Sequence, residues 1–352
     1  MSSKKTRNSE MHKDSMDHYR RSSLNCFAAH PIERVHEKRR DDKWVTDRLK
    51  DPSTLFIPVW RSKNLFTEAQ VPCPVLLSRN DLGDLIPMAE STILLGVKDG
   101  GAYFAIDLPS HDSSLLASFA GVGRFRDLRG VGALLDCREG GLLAYARAMT
   151  YWHRHHRFCG DCGAATRSAE AGHMRVCTQE QCGQQHFPRT DPAIIVLATS
   201  GEHCLLARQG GWPVNLYSTI AGFVEPGESV EDAVVREVRE ETGIQVKEVH
   251  YRSSQPWPFP CSIMLGFTAH TRSKHIRLDD EELEDARWFT RKEVQSALKK
   301  GMLQLPPRIS IAYRLIEDWF ESDGSVHLEV LMSSVTQETA SVGHGKSANQ
   351  PT

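Results

Sequence analysis

Three glutamates crowd one short stretch of the chain. In "GFVEPGESVEDAVVREVREETGI", Gly222 to Ile244, Glu240 and Glu241 follow Glu237 by three and four residues. On a helix they share a face, and each like-charged pair costs about 0.2–0.5 kcal/mol. They also fall near the helix C-terminus, where the backbone dipole already carries partial negative charge. A cation would compensate. Hard oxygen ligands suit Mg²⁺ or Mn²⁺, and glycines at 222 and 227 let a folded-over loop present its own carbonyls beside them. Such a cation would draw in an anionic substrate, most naturally a di- or polyphosphate. The blander reading is a solvated helix laced by ion pairs, Arg236 with Glu240 at i, i+4 among them. Glycines and acids together favour the metal.

A second cluster asks for a softer ion. Cys159 and Cys162 are separated by two residues, and Cys177 and Cys182 by four. Two short-spaced thiol pairs on turns can close a tetrahedron around zinc. With thiolate at all four positions no place is left for water, so the expected role is structural. Unliganded core cysteines and a redox pair are the competing readings. No helix start is evident behind the first pair, which argues against redox chemistry. A third stretch, "SQPWPFPCS" (254–262), has proline at every second position. That pattern excludes a central strand and suggests a stiff extended backbone presenting Trp257 and Phe259. An edge-strand plug or a proline-rich ligand for another protein would read the same way.

These residues need elements to hold them. Ser229, with Asp232 three residues on, reads as a helix N-cap. Val230, Ala233, Val234 and Val238 form its apolar stripe, and Gly243 its stop. "DPAIIVLATSGEHCLLARQ" reads as a hairpin, and "SIMLGFTAHT" and "ARWFT" as further strands. "STLFIPVW" (53–60), "PVLLSR" (74–79), "STILLGVKDG" (91–100) and "AYFAIDL" (102–108) read as strands of a small sheet-rich domain. Leu142, Leu143, Ala146, Met149 and Trp152 predict a connecting helix, and Ile309, Ala312, Leu315, Ile316 and Trp319 another. The polar ends, 1–22 and 326–352, are expected to be disordered.

Bulk properties exclude several function classes. The chain has 43 Lys and Arg against 45 Asp and Glu, so no global charge pulls it towards nucleic acid. "HRHHRF" (153–158) is a local basic stretch that suits either RNA phosphates or a solvated helix end. No apolar run approaches the roughly 18 residues of a membrane span. The basic N-terminus lacks the apolar segment of a secretory signal. Nine cysteines, four of them clustered, fit a reducing compartment, so the cytoplasm is expected.

The acidic stretch resembles the Nudix box at every constrained position: Gly222, Glu228, Arg236, Glu237, Val238, Glu240, Glu241, Gly243 and Ile244. With the preceding cysteine cluster, "FPRTDPAIIV" and the later "SQPWPFPCS", the chain resembles the NADH pyrophosphatase (NAD-capped RNA hydrolase) subfamily of Nudix hydrolases. The resemblance implies an α/β protein. An N-terminal sheet-rich domain (23–137) and the connecting helix (138–156) would precede a zinc ribbon (157–188). A Nudix α/β/α sandwich with a mixed sheet (189–325) would follow.

The implied reaction is metal-dependent hydrolysis of the pyrophosphate bond of NAD(H), giving nicotinamide mononucleotide and AMP. By motif position, Glu237, Glu240 and Glu241 would be the catalytic acids. With the Ala221 carbonyl and Glu282 they would hold Mg²⁺ or Mn²⁺; Glu281 and Glu284 are neighbours that leave the register of that last ligand open. Phe223 would stack on a substrate ring. Gln255, Pro256, Trp257, Pro258, Phe259, Pro260, Cys261 and Ser262 would form the dinucleotide-recognition loop, with Phe187, Ala312 and Arg129 as further contacts. The resemblance also implies a homodimer. The same chemistry would remove the NAD cap from RNA or split ADP-ribose or another dinucleotide. A reading of another class is a zinc-ribbon nucleic-acid-binding protein with an inactive Nudix fold; the intact glutamates speak against it.

Overall fold

The computed structural model describes residues 17–28, 31–278, 282–322, 324 and 326–333. They form two compact units. The first comprises Ser22–Asp191 and Gln255–Ile263. Its five-stranded sheet is built from β1 (Leu55–Trp60), β2 (Lys63–Phe66), β3 (Ser91–Lys98), β4 (Gly101–Asp107) and β5 (Arg124–Arg126), in the order β3-β4-β1-β2-β5. Parallel pairing of β1 with β4 among antiparallel neighbours makes it a mixed sheet. Trp44, Val45 and Leu49 of α1 (Asp42–Lys50) pack on the apolar cluster that includes Phe56, Leu94 and Phe104. The strand expected at 74–79 makes only single bridges, Pro74 with Phe66 and Leu77 with Phe56. Ser78 and Asp81 then form a capping box and start a helical turn, Arg79–Leu82.

Helix α2 (Cys137–His155) corrects another expectation. It is not a connector: it lies within the first unit along β1, β3 and β4, burying Leu143, Ala146 and Met149 among others. Arg147 fastens it to the sheet by donating to the Ser62 carbonyl at 2.7 Å. After it come three short antiparallel strands in the order β6-β7-β8: β6 (Thr166–Ala169), β7 (Met174–Cys177) and β8 (Gln185–His186).

The second unit carries β10 (His203–Gln209), β11 (Ile220–Phe223), β14 (Leu283–Thr290) and most of β9 (Asp191–Ser200), β12 (Val246–Trp257) and β13 (Ser262–Thr271), of which Asp191, 255–257 and 262–263 fall in the first. The order is β12-β13-β9-β10-β14, with β11 beside β9. The expected β9–β10 hairpin pairs only near its turn, at Ser200–His203 and Thr199–Cys204. Beyond that the strands part. β9 takes β11 and β10 takes β14. Alternate residues of β9 face opposite cores. Ile194, Val196 and Ala198 meet Ala233, Val234 and Val238 of α3 (Val230–Thr242). Ile195 and Leu197 meet Val294 and Leu298 of α4 (Arg291–Lys299), and Leu315 and Ile316 of α5 (Ile311–Glu321). This helix–sheet–helix layering explains the unbroken "AIIVLA": a strand covered on both faces is apolar throughout.

Four further details depart from expectation. Ile309 is buried but precedes α5, which starts after the N-cap Ser310. The proline–aromatic stretch is not extended throughout. β12 runs on to Trp257, and a turn follows in which the Phe259–Pro260 peptide is cis. β12 is an edge strand, where Pro256, which has no N–H to donate, is tolerated. At the ends, Asp17–Ser23 is helical, and Leu328 and Leu331 are buried in the core with α5. The rest of the expected tails, 1–16 and 334–352, lies outside the described residues.

Candidate active site

The acidic helix α3 begins as its sequence demands. Ser229 accepts from the Asp232 amide, Asp232 returns the bond, and Gly243 ends the helix with φ 69°. The apolar stripe fixes its rotation against the sheet, leaving the acids towards β11 and the loop after it. Glu237 lies so close to β11 that a Cβ on Gly222 would sit 1.9 Å from its Oε1. Only glycine leaves room for that carboxylate.

Arg236 organises the cluster. Its guanidinium donates to Glu228 at 2.6 and 3.1 Å, to Glu237 at 2.8 Å, to Glu240 at 3.2 Å and to the Phe223 carbonyl at 2.9 Å. The i, i+4 pair with Glu240 was legible in the sequence. The stronger tie, to Glu228 eight residues earlier, fastens the loop to the helix. The Glu228 bonds, with those from Glu237 and Glu240, hold Arg236 protonated beyond its ordinary range. In return Arg236, then the Glu225 amide, keeps Glu228 below the usual carboxylate range. Glu237 moves the other way. Burial raises it, and the charges of Glu240 and Glu282 add to the rise against Arg236. Glu241 is 4 % exposed, whereas the Glu240 side chain is 48 % exposed.

Glu282 therefore stands within electrostatic reach of Glu237. Of its rivals, Glu284 is bonded to Arg208, and Glu281 lies outside the described residues. Ala221 is exposed on β11, one residue before Gly222. Phe223 follows, 60 % exposed, a free ring face at the edge of the same loop. Ala312 is not brought to the cluster's open side. It is 1 % exposed in the α4–α5 core, its amide donating to Ser310 Oγ.

In the first unit, the four sulfurs of Cys159, Cys162, Cys177 and Cys182 lie within 4.8 Å of one another. Cys162–Cys177 and Cys159–Cys182 are 3.4 and 3.8 Å apart, and all four are free thiols. Sulfurs tetrahedral about zinc at about 2.3 Å would be about 3.8 Å apart, so the set fits. The Cys162 amide leads the groups that lower Cys159 to about 6, while burial pushes Cys177 up to about 12. Ionised together, four sulfurs this close would need a cation at their centre.

The aromatic loop belongs to this unit too. Trp257 and Phe259 are in edge contact at 5.0 Å, and Phe27 reaches both, at 6.2 and 5.7 Å. Arg129 lies 4.8 Å from the Phe259 ring and Arg147 4.9 Å from it. Thus Arg129 joins the loop, and sequence reasoning missed Phe27 and Arg147, which no local spacing connects to it. Gln255 and Ser262 are buried, as is Pro258, and the Gln255 side-chain amide donates to the Cys26 carbonyl. Pro256 and Pro260 are exposed, and Cys261 is half-buried with its thiol donating to Asp191. Phe187, just after β8, is 61 % exposed.

The acidic set fits Mg²⁺ or Mn²⁺ on the same grounds. Its donors are carboxylate oxygens, one of them half-buried and raised by burial and then by neighbouring charge, in a cradle that a single Cβ would fill. Family comparisons agree with this geometry. A NUDIX domain model matches residues 188–309. A model described as NADH pyrophosphatase zinc ribbon domain matches 154–187, and one described as NADH pyrophosphatase-like rudimentary NUDIX domain matches 53–152. The chain is 35 % identical over 338 residues to the NAD-capped RNA hydrolase NUDT12 of Homo sapiens, covering 84 % of this chain and 73 % of that protein. It is 45 % identical over 203 residues to the NAD-capped RNA hydrolase NudC of Mycobacterium bovis, covering 55 % of this chain and 64 % of that protein.

Proposed function

Since the chain belongs to the NADH pyrophosphatase branch of the Nudix hydrolases, we propose that it cleaves the pyrophosphate bond of NAD(H), releasing nicotinamide mononucleotide and AMP. One observation carries the reading: Glu228, Glu237 and Glu240 gather around Arg236, with Glu237 against Gly222. Glu237, Glu240 and Glu241, with the Ala221 carbonyl and Glu282, would hold the divalent cations. When bound, these neutralise the pyrophosphate and lower the pKa of a water. The chain's own residues do the rest. Arg236 fixes the direction of Glu237 and Glu240, Phe223 offers a ring for stacking, and a carboxylate of the cluster accepts the proton of the attacking water. Arg236, its donors taken by Glu228, Glu237, Glu240 and the Phe223 carbonyl, would position acids and not bind substrate. The aromatic loop, with Arg129 and Phe187, would recognise the dinucleotide. Zinc in the ribbon would be structural.

RNA carrying the same dinucleotide at its 5′ end presents the same bond, and the names of the human and mycobacterial relatives support it as a substrate. The test compares kcat/KM for NADH, NAD⁺, ADP-ribose and NAD-capped RNA with Mg²⁺ or Mn²⁺. NADH or the capped RNA should lead, each yielding products cut between the phosphates. Preference for ADP-ribose alone would overturn the substrate reading while leaving the hydrolase intact.

A homodimer is inferred from family resemblance, and sedimentation would check it. Among the described residues no helix is long and apolar enough to cross a membrane, and all cysteines are free thiols. These features support the cytoplasm as the compartment.

A further inference from the structure

A cavity of about 490 Å³ opens in the first unit where the ends of β4 and α2 meet the ribbon. It includes none of the residues assigned above to metal or dinucleotide. Asp107, the last residue of β4, lines it. Its side chain is 1 % exposed, yet neither carboxylate oxygen has a hydrogen-bond partner among the described residues, and the nearest cation, Arg154 Nε, is 3.6 Å away. A buried acceptor without donors is costly to keep. That Nε also lacks an acceptor among the described residues, although the same guanidinium donates to Ser62 Oγ at 2.6 Å.

Two more arginines line the cavity. Arg157, 53 % exposed, pairs with Glu90. Arg175 comes from the ribbon, donating to Thr166 and facing His153 Nδ1 at 2.8 Å. Burial lowers His153 to about 4, so the ring is neutral and adds no charge. Burial also pushes Asp107 up to about 7. Three guanidinium charges thus face Glu90 and a carboxyl only partly ionised near neutrality. At the mouth stands Phe158, 68 % exposed. A ligand suited to this lining must carry negative charge for the arginines, hydrogen-bond donors for Asp107 and a flat apolar face for Phe158.

We propose that this cavity is a second, non-catalytic site for a nucleoside monophosphate, with its phosphate on Arg154, Arg157 and Arg175 and its ribose diol or ring N–H groups on Asp107. Inorganic phosphate would satisfy only the arginines, and an amine only Asp107. Helix α2, which borders the cavity, has Glu139 as its single carboxylate and so offers no counterpart of the acidic cluster of α3. Binding without hydrolysis follows. The nucleotide could be free or the end of an RNA chain, since both offer the same groups.

Calorimetric titration of the full chain distinguishes these sources. It is done without added divalent cation, where the α3 acids repel a phosphate. AMP, GMP, inorganic phosphate and a short oligoribonucleotide are compared. Expected is saturable mononucleotide binding, weakened about ten-fold by Asp107→Asn and by the exposed Arg157→Ala, with phosphate alone weaker still. Zinc content and the kcat for NADH should be unchanged in both variants. Binding of the oligoribonucleotide in preference to free AMP or GMP, with the same variant losses, identifies the RNA source. No nucleotide binding, or binding untouched by either variant, overturns the proposal.

Discussion

The sulfurs of Cys159, Cys162, Cys177 and Cys182 face one another on the turns of a three-stranded ribbon, whereas the acids of α3 are arranged around a guanidinium and partly open to solvent. Both groups concentrate negative charge. The thiols use every donor position on one another's shared centre, so a zinc there has no vacancy and serves folding. The acids are held apart by Arg236, with Glu240 half in solvent, so cations and substrate can come and go. Donor count and enclosure, more than charge, separate a structural ion from a catalytic one.

The largest effect is expected at the ribbon. Cys177→Ser should abolish zinc retention and unfold the ribbon, since structural zinc contributes about 10–16 kcal/mol in small zinc peptides; metal analysis and thermal melting would show it. At the acids, Gly222→Ala places a Cβ 1.9 Å from Glu237 Oε1. Displacing that carboxylate should lower kcat about 100-fold with zinc content unchanged. Arg236→Lys keeps the charge but not the five-donor fork, so kcat should fall about 10–100-fold. Steady-state kinetics with metal titration would show a higher metal concentration at half-maximal rate. The smallest effect is expected at Gly243, whose φ is 69° and whose Cβ would meet Arg277 at 3.1 Å. Gly243→Ala should destabilise by about 1 kcal/mol, lowering Tm by about 2–4 °C.

Local chemistry was legible from sequence. The capping box at Ser229, the αL stop at Gly243 and the four clustered thiols each depend on residues close in the chain. What was not legible depended on distance. Arg236 bonding Glu228, and Phe27 and Arg147 meeting Phe259, are set by packing across sequence gaps that no periodicity encodes. The expected strand at 74–79 failed because a Ser78–Asp81 cap outcompeted β propensity. The connecting helix became a core helix because its apolar face was read without the sheet that covers it. Ala312 was carried over by motif position, and its burial beside α4 was invisible until the sheet's second core was formed.

The α3 acids, and not the ribbon, are expected to break the pyrophosphate. The direct measurement is chromatography of products from NADH with Mg²⁺ or Mn²⁺, using the wild-type protein and Glu241→Gln matched for zinc content. Expected are nicotinamide mononucleotide and AMP from the wild type, and a rate lower by about 10²–10⁴-fold in the variant. Cleavage at an undiminished rate by Glu241→Gln would contradict it.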